Sequence, residues 1–239
     1  MGFEALTRWQ HPQGMVMPND FIPLADETGI ILSINRQLLP EACHQLRSWQ
    51  QLFPSDPPLS LSVNVSPKQF AQSDLASQIG QLLEQGEIDP RCIDLEITET
   101  IAMADAEKSA RVLSELKALG VGLDIDDFGT GYSSLSRLQG FPVDTLKIDR
   151  IFVSRMDSDA ETLEIVRVIV MLAHHLGLKV VAEGVETQAQ LDLLRNLGCE
   201  RAQGYLFCKP IDHEAIVKLM ATNRVAPGFR SKAAGAMSV

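Results

Sequence analysis

The run Asp124-Ile125-Asp126-Asp127-Phe128-Gly129-Thr130-Gly131-Tyr132-Ser133-Ser134-Leu135 ends an apolar, β-forming stretch in two adjacent carboxylates and a glycine-rich turn. Two neighbouring carboxylates repel, and a divalent cation or a shared proton is what offsets the repulsion. The alternative use of such a pair is a helix cap, with Asp127 or Ser133 accepting from the open N–H groups of a following helix. The ends of the other β-forming runs decide between the two. They carry Glu4, Asn64, Glu96 with Glu99, Lys147 with Asp149, Glu183 with Glu186, and Gln203. Taken singly, each is an ordinary polar strand end. Brought to one face, they form an oxygen-rich cluster that needs one or two hard cations such as Mg²⁺ or Mn²⁺. With no His or Cys in the set, a structural zinc is disfavoured. Lys147 is the one cationic group at these strand ends, either a charge partner for the acids or a participant in chemistry.

Alternation of strands and helices would bring the set together. Strands are predicted at about 3–6, 59–65, 93–98, 121–125, 145–149, 179–183 and 201–206. Helices are predicted at about 33–49, 75–83, 106–119 and 160–175, then after Thr187 and after Pro210. Pro40 should kink the first helix. Ser158 with Glu161, and Thr187 with Gln190, fit capping boxes. The stretch from His11 to Pro23, punctuated by Pro and Gly, reads as a loop. Seven strands separated by helices imply a parallel sheet with right-handed crossovers, one strand short of a closed (β/α)₈ barrel. The missing unit is expected ahead of Met1. A doubly wound sheet gathers its chemistry at one switch point, whereas here nearly every strand end contributes. Residues 226–239 are small and polar and are expected to form a disordered tail after a barrel domain over 1–225.

Composition narrows the partners. With 239 residues, 45% of them hydrophobic, the chain can bury a large core. A net charge of −10 argues against general binding to DNA or other nucleic acid. Cysteines at 43, 92, 199 and 208 lack metal or redox spacing, which suggests reduced core thiols in a cytoplasmic protein. His174 and His175 fit the last turn of a helix, where positive charge meets the negative end of the dipole. No apolar run approaches the ~18 residues of a membrane segment.

Two mechanisms follow from the residues. In one, a pair of metals activates water against a phosphodiester, Lys147 orients the water or stabilises charge, and Arg8 takes a phosphate oxygen. In the other, one Mg²⁺ holds an enolate while Lys147 removes a proton. The adjacent Asp126 and Asp127 favour two metals.

Gly2-Phe3-Glu4-Ala5-Leu6-Thr7-Arg8-Trp9 resembles the signature of the EAL family of cyclic di-GMP phosphodiesterases. So do, in order and spacing, Phe21-Ile22-Pro23-Leu24-Ala25, Asn64-Val65-Ser66, Glu96-Ile97-Thr98-Glu99, Asp126-Asp127-Phe128-Gly129-Thr130-Gly131, Lys147-Ile148-Asp149, Glu183-Gly184-Val185-Glu186 and Gln203-Gly204-Tyr205. The resemblance spans about residues 1 to 220. It implies a modified TIM barrel that opens cyclic di-GMP to linear pGpG with Mg²⁺ or Mn²⁺ and is inhibited by Ca²⁺. It also implies roles. Glu4, Asn64, Glu96 and Asp126 would ligate one metal, and Asp126, Asp127 and Glu183 the second. Lys147 would orient the water, and Glu99 would brace the loop from Phe128 to Ser133. Leu6, Arg8, Asp149, Glu186 and Gln203 would surround the substrate. A homodimer using that loop and the following helix is implied, as are sensory or diguanylate-cyclase domains upstream in a parent protein. The family's first helix and strand, with their Gln-Pro pair, have no counterpart here, which is expected to leave two strand edges unpaired. A cyclic di-GMP-binding module without hydrolysis, and more remotely an enolase-type lyase, are the alternatives.

Overall fold

A computed structural model describes residues 1–131, 135–222 and 230–238. The chain opens with β1 (Gly2–His11), which turns into a short antiparallel β2 (Gly14–Val16), then α1 (Pro18–Thr28) and α2 (Ile31–Leu52). β3 (Ser60–Asn64) leads to α3 (Pro67–Phe70) and α4 (Leu75–Gly86), and β4 (Ile93–Thr98) to α5 (Glu99–Ala104) and α6 (Ala106–Ala118). β5 (Gly122–Phe128) is followed by α7 (Leu135–Leu138), β6 (Thr145–Ile148) by α8 (Arg150–Val153) and α9 (Ala160–His175). β7 (Lys179–Ala182), α10 (Gln188–Leu197), β8 (Arg201–Ala202), α11 (His213–Ala221) and β9 (Arg230–Ser238) complete the order.

β1 and β3 to β8 are the seven parallel strands read from the sequence, each paired with the next. β9 lies between β8 and β1 and pairs in parallel with both, Gly2 to Arg8 standing opposite Lys232 to Ser238. The edges that seven strands alone would leave open are therefore paired. Where a tail without structure was expected from 226, Arg230–Ser238 is a strand. Its sequence, rich in Ala and Ser, carries weak β preference, so the pairing comes from two open parallel edges rather than from side-chain pattern.

Side chains alternate along β1 and β3 to β6. Phe3, Leu61, Leu95, Ile97, Leu123, Ile125, Leu146 and Ile148 point outward and are buried under the helices. The intervening Glu4, Ser62, Glu96, Asp124, Asp126, Thr145 and Lys147 point into the barrel, and they too are buried. The apolar core is thus a ring around a polar interior. Each outward Leu or Ile contributes about 1.5–3 kcal/mol of burial.

Local chemistry accounts for where the elements differ from expectation. The stretch from His11 to Pro23 is not one loop. Pro18 stands at the start of α1, where no N–H is needed, and Phe21 and Ala25 are buried. α2 runs through Pro40 because that residue lies on the exposed face, so the carbonyl it cannot serve is left to water. The cap of α9 is Asp159 rather than Ser158. Its carboxylate accepts from Glu161 N at 3.1 Å and from Thr162 Oγ1 at 2.5 Å. The Thr187–Gln190 box is reciprocal, as read. His174 and His175 end α9. α11 begins at His213, capped by Asp212, rather than at Pro210.

At the N-terminal end of the strands, Asp144 acts as a clip. Its carboxylate accepts from Leu123 N at 2.8 Å and from Lys117 Nζ at 2.6 and 2.7 Å. Its backbone N–H donates to Leu123 O, and its carbonyl accepts from Lys179 N. One residue thereby joins β5, β6 and β7. All four cysteines are free thiols, three of them buried. Among the described residues no helix is long and apolar enough to cross a membrane.

Candidate active site

Lys147 is the centre of the strand-end cluster. β6 points it into the barrel, where it is 0% exposed. Its Nζ lies 2.8 Å from Glu96 Oε2, 3.1 Å from Asp126 Oδ1 and 2.6 Å from Glu183 Oε1. These partners stand at the ends of β4, β5 and β7, so three strands supply one cage. Asp126, Asp127 and Glu183 each present an oxygen, all within 4.8 Å of one another. Hard oxygen donors at that spacing suit a divalent cation. Glu4 is held on the β1 side, its Oε1 accepting from Asn64 Nδ2 at 3.1 Å and its Oε2 from Gln203 Nε2 at 2.5 Å. The first and the last of the strand-end residues thus meet directly.

The electrostatics follow from burial. Burial raises the Glu4 carboxyl above its ordinary value, and the charge of Glu96 adds to it. Burial likewise raises Asp126, against the pull of Lys147. Asp127 is pushed up to about 7 by burial, by Asp126 beside it and by a hydrogen bond with Asp149. Glu183 rises to about 8, chiefly from burial. Burial alone would lower Lys147, but Glu4, Glu96, Glu183 and Asp126 together hold it well above its ordinary value. The cage therefore contains more negative charge than one ammonium balances, and protons or cations make up the difference.

A consequence for stability can be measured. Glu183 titrates near 4.5 when unfolded and near 8 when folded, so between those values the folded chain binds the extra proton. Stability from this group is complete below about 4.5 and is lost as pH rises through about 8. Asp127 acts in the same sense between 3.8 and about 7. Without metal, the melting temperature should fall on going from pH 6 to pH 8.5, by about 3–5 °C for each pH unit over which one proton is unmatched. Excess Mg²⁺ should restore most of it at pH 8.5. A metal-free melting temperature that rises over this range would contradict the shifts.

The other predicted residues are placed as follows. Glu99 is buried at the start of α5, and its Oε2 accepts from Gly129 N at 2.9 Å, at the root of the glycine-rich loop. A Cβ on Gly131 would meet Glu99 Oε1 at 3.0 Å, so the loop lies against that carboxylate. Tyr132, Ser133 and Ser134 lie outside the described residues. Leu6 and Arg8 are half-buried on β1, and the Arg8 guanidinium donates to Thr7 O at 2.8 Å, within its own strand. Asp149 caps α8 through Ile151 N at 2.7 Å. Glu186 is exposed, its N–H donating to Gln190 Oε1. Glu4 and Glu96 are not among the three carboxylates whose oxygens lie within 4.8 Å of one another.

Two features escape sequence reading. Asp127 sits at φ 53°, a left-handed conformation uncommon for a residue with a Cβ and one often found at functional sites. Gly184 and Gly204 fix the loops that carry Glu183 and Gln203. A Cβ on Gly184 would lie 2.5 Å from Arg150 Cβ, and one on Gly204 would lie 2.2 Å from Val185 O. The only sequence signals are a glycine two residues after Asp127 and one directly after each of Glu183 and Gln203.

Residues 1–210 match the model for the EAL domain. The chain belongs to the EAL domain family. The EAL domain is 44% identical over 222 residues to the bifunctional diguanylate cyclase/cyclic di-GMP phosphodiesterase MucR of Pseudomonas aeruginosa, covering 92% of this chain and 32% of that protein. It is 40% identical over 222 residues to the oxygen sensor protein DosP of Escherichia coli, covering 92% of this chain and 28% of that one. The chain thus spans about a third of the length of these curated relatives. The solved MucR phosphodiesterase in complex with c-di-GMP superposes with a TM-score of 0.81 at 44% identity, covering 84% of this chain and 81% of that one. The EAL domain of Mycobacterium smegmatis DcpA superposes with a TM-score of 0.75 at 35% identity, covering 92% and 91%. These neighbours are TIM-like barrels, in keeping with the fold read from the sequence.

Proposed function

We propose that this EAL domain hydrolyses one phosphodiester bond of cyclic di-GMP to give linear pGpG, using Mg²⁺ or Mn²⁺. The observation that carries the reading is the approach of Asp126, Asp127 and Glu183 oxygens within 4.8 Å beside a buried lysine. Glu4, Asn64, Glu96 and Asp126 would hold one ion, and Asp126, Asp127 and Glu183 a second. When bound, the ions supply Lewis acidity toward the diester and acidify a water. The water oxygen bonds to phosphorus, the bond from phosphorus to the 3′ oxygen breaks, and the proton lost by the water ends on the released 3′ hydroxyl.

The chain's own residues do the positioning. Lys147, gripped from three strands, donates from a fixed point to the water or to the developing charge on the diester, with no reorganisation needed at the moment of reaction. Arg8 turns from the Thr7 carbonyl to a phosphate oxygen. Leu6, Asp149, Glu186 and Gln203 line the nucleotide. Glu99 keeps the glycine-rich loop seated through Gly129.

A homodimer belongs to the same reading. Ile165, Val168 and Met171 of α9, with Ile151 of α8, are exposed apolar side chains on the two helices whose Phe152 and Ile169 lie against Gly129, and they suit a second copy. In a longer parent, sensory or diguanylate-cyclase domains would regulate this cytoplasmic unit.

The test is incubation with cyclic di-GMP and chromatographic separation of the products, alongside sedimentation of the same preparation. Release of pGpG in Mg²⁺ or Mn²⁺ is expected, with none in EDTA and inhibition by Ca²⁺, from a species of twice 26.3 kDa. Ligand that is bound but recovered intact in Mn²⁺ would replace the hydrolase reading with that of a binding module.

A further inference from the structure

The turn that follows Gln203 leaves an aromatic ring where the chain could have hidden it. Val185 N donates to Gln203 O and Leu206 N to Val185 O, each at 3.0 Å, and Phe207 N closes a turn onto Gly204 O at 3.1 Å. Leu206, Phe207 and Cys208 pack against the core. Tyr205, between them and Gln203, is 58% exposed. It is two residues beyond the amide that grips Glu4, and so lies at the strand-end face where the carboxylate cage opens.

Lys209 supplies a second observation. Its Nζ stands over the Tyr205 ring, 5.7 Å from the centroid. Among the described residues it has no carboxylate within ion-pair distance, although acidic side chains outnumber basic ones by 31 to 21. An ammonium held on an exposed aromatic face, rather than on one of many available acids, is a cation and a flat apolar surface in one place. Purine nucleotides present the complement, a planar base and a phosphate.

We infer that Tyr205 and Lys209 form a recognition clamp for the nucleotide, the ring stacking on a guanine and the ammonium meeting a phosphate oxygen. The inference rests on the hydrolase reading and deepens it, since it concerns grip on the substrate and not bond cleavage. Neither residue touches the carboxylate cage, so their loss weakens ground state and transition state alike.

The experiment is steady-state hydrolysis of cyclic di-GMP in Mn²⁺ by the wild-type chain, Tyr205→Phe, Tyr205→Leu and Lys209→Met, with a melting curve for each. Tyr205→Leu should raise KM about 10-fold, the order expected for one stacked base, with kcat within about threefold of wild type. Tyr205→Phe should keep the wild-type KM. Lys209→Met should raise KM about threefold or more at low salt and converge on wild type at high salt. An unchanged KM in Tyr205→Leu overturns the clamp while leaving the hydrolase reading intact. So does an equal loss in Tyr205→Leu and Tyr205→Phe, which would point to the hydroxyl. A wild-type chain that neither binds nor cleaves the dinucleotide overturns both.

Discussion

Lys147→Met is expected to lower kcat for cyclic di-GMP about 1000-fold with little change in KM. Methionine nearly matches the apolar length of lysine, so packing in a fully buried position is largely kept and the change isolates the charge. What is lost is a donor fixed by Glu96, Asp126 and Glu183 at 2.6–3.1 Å. In the proposed reaction a donor so fixed would act on charge that develops at the diester, which is why kcat rather than KM should report its removal. The substitution also leaves Glu4, Glu96, Asp126 and Glu183 without their common counter-charge. Removing one partner of a buried pair costs about 3–5 kcal/mol, which corresponds to about 10 °C in a chain of this size. Protonation of the raised carboxyls relieves part of that cost. The metal-free deficit should therefore be smaller at pH 6 than at pH 8.5 and shrink again in Mg²⁺. A Lys147→Met chain with wild-type kcat would remove Lys147 from the reaction.

Gly204→Ala should be the most damaging of the small substitutions. The added methyl would lie 2.2 Å from Val185 O and 2.3 Å from Val185 N, and Gly204 has φ 156°, outside the usual range for a residue with a side chain. Both clashing atoms are backbone, so no rotamer change relieves them. They belong to the ladder in which Val185 N reaches Gln203 O and Gln203 N reaches Ala182 O. Spreading that ladder separates the strand ends bearing Glu183 and Gln203. The expected loss is at least about 3 kcal/mol, or about 6–12 °C in melting temperature. Because misplacement of about 1 Å costs about 100-fold in rate, activity should fall by at least that factor below the melting transition. A Gly204→Ala protein that melts and turns over like wild type would show that Val185 can give way.

The sequence disclosed the barrel where two patterns coincided. Outward apolar and inward polar residues alternate along β4, β5 and β6, and a carboxylate, amide or ammonium stands at the end of each strand. Turns fixed by one strong cap, such as Thr187 with Gln190, were equally plain. Other elements depend on partners that no local pattern names. β9 is mostly small residues and is a strand because β8 and β1 flank it. α1 was hidden by Pro18 and Pro23, residues that usually mark loops but here stand in and just after its first turn. Of the site, the residue types were legible and their grouping was not. Glu4 and Gln203 are 199 positions apart and share a hydrogen bond. Lys147 could be counted as a single cation, but only the closed arrangement shows that four carboxylates converge on it. The left-handed turn at Asp127 likewise has no signature beyond the glycine two residues on.

The Asp144 clip separates sturdiness from chemistry along the length of the same strands. It fastens β5, β6 and β7 three residues ahead of Lys147, a distance of about 10 Å in extended chain. The carboxylates and Lys147 occupy one rim and the fastening lies at the other. Substitutions around Lys117 and Asp144 can therefore raise or lower the tolerance of the barrel to heat without altering the arrangement of Asp126, Lys147 and Glu183. The lower rim is the place from which this protein can be engineered, or can drift, while the upper rim stays as it is.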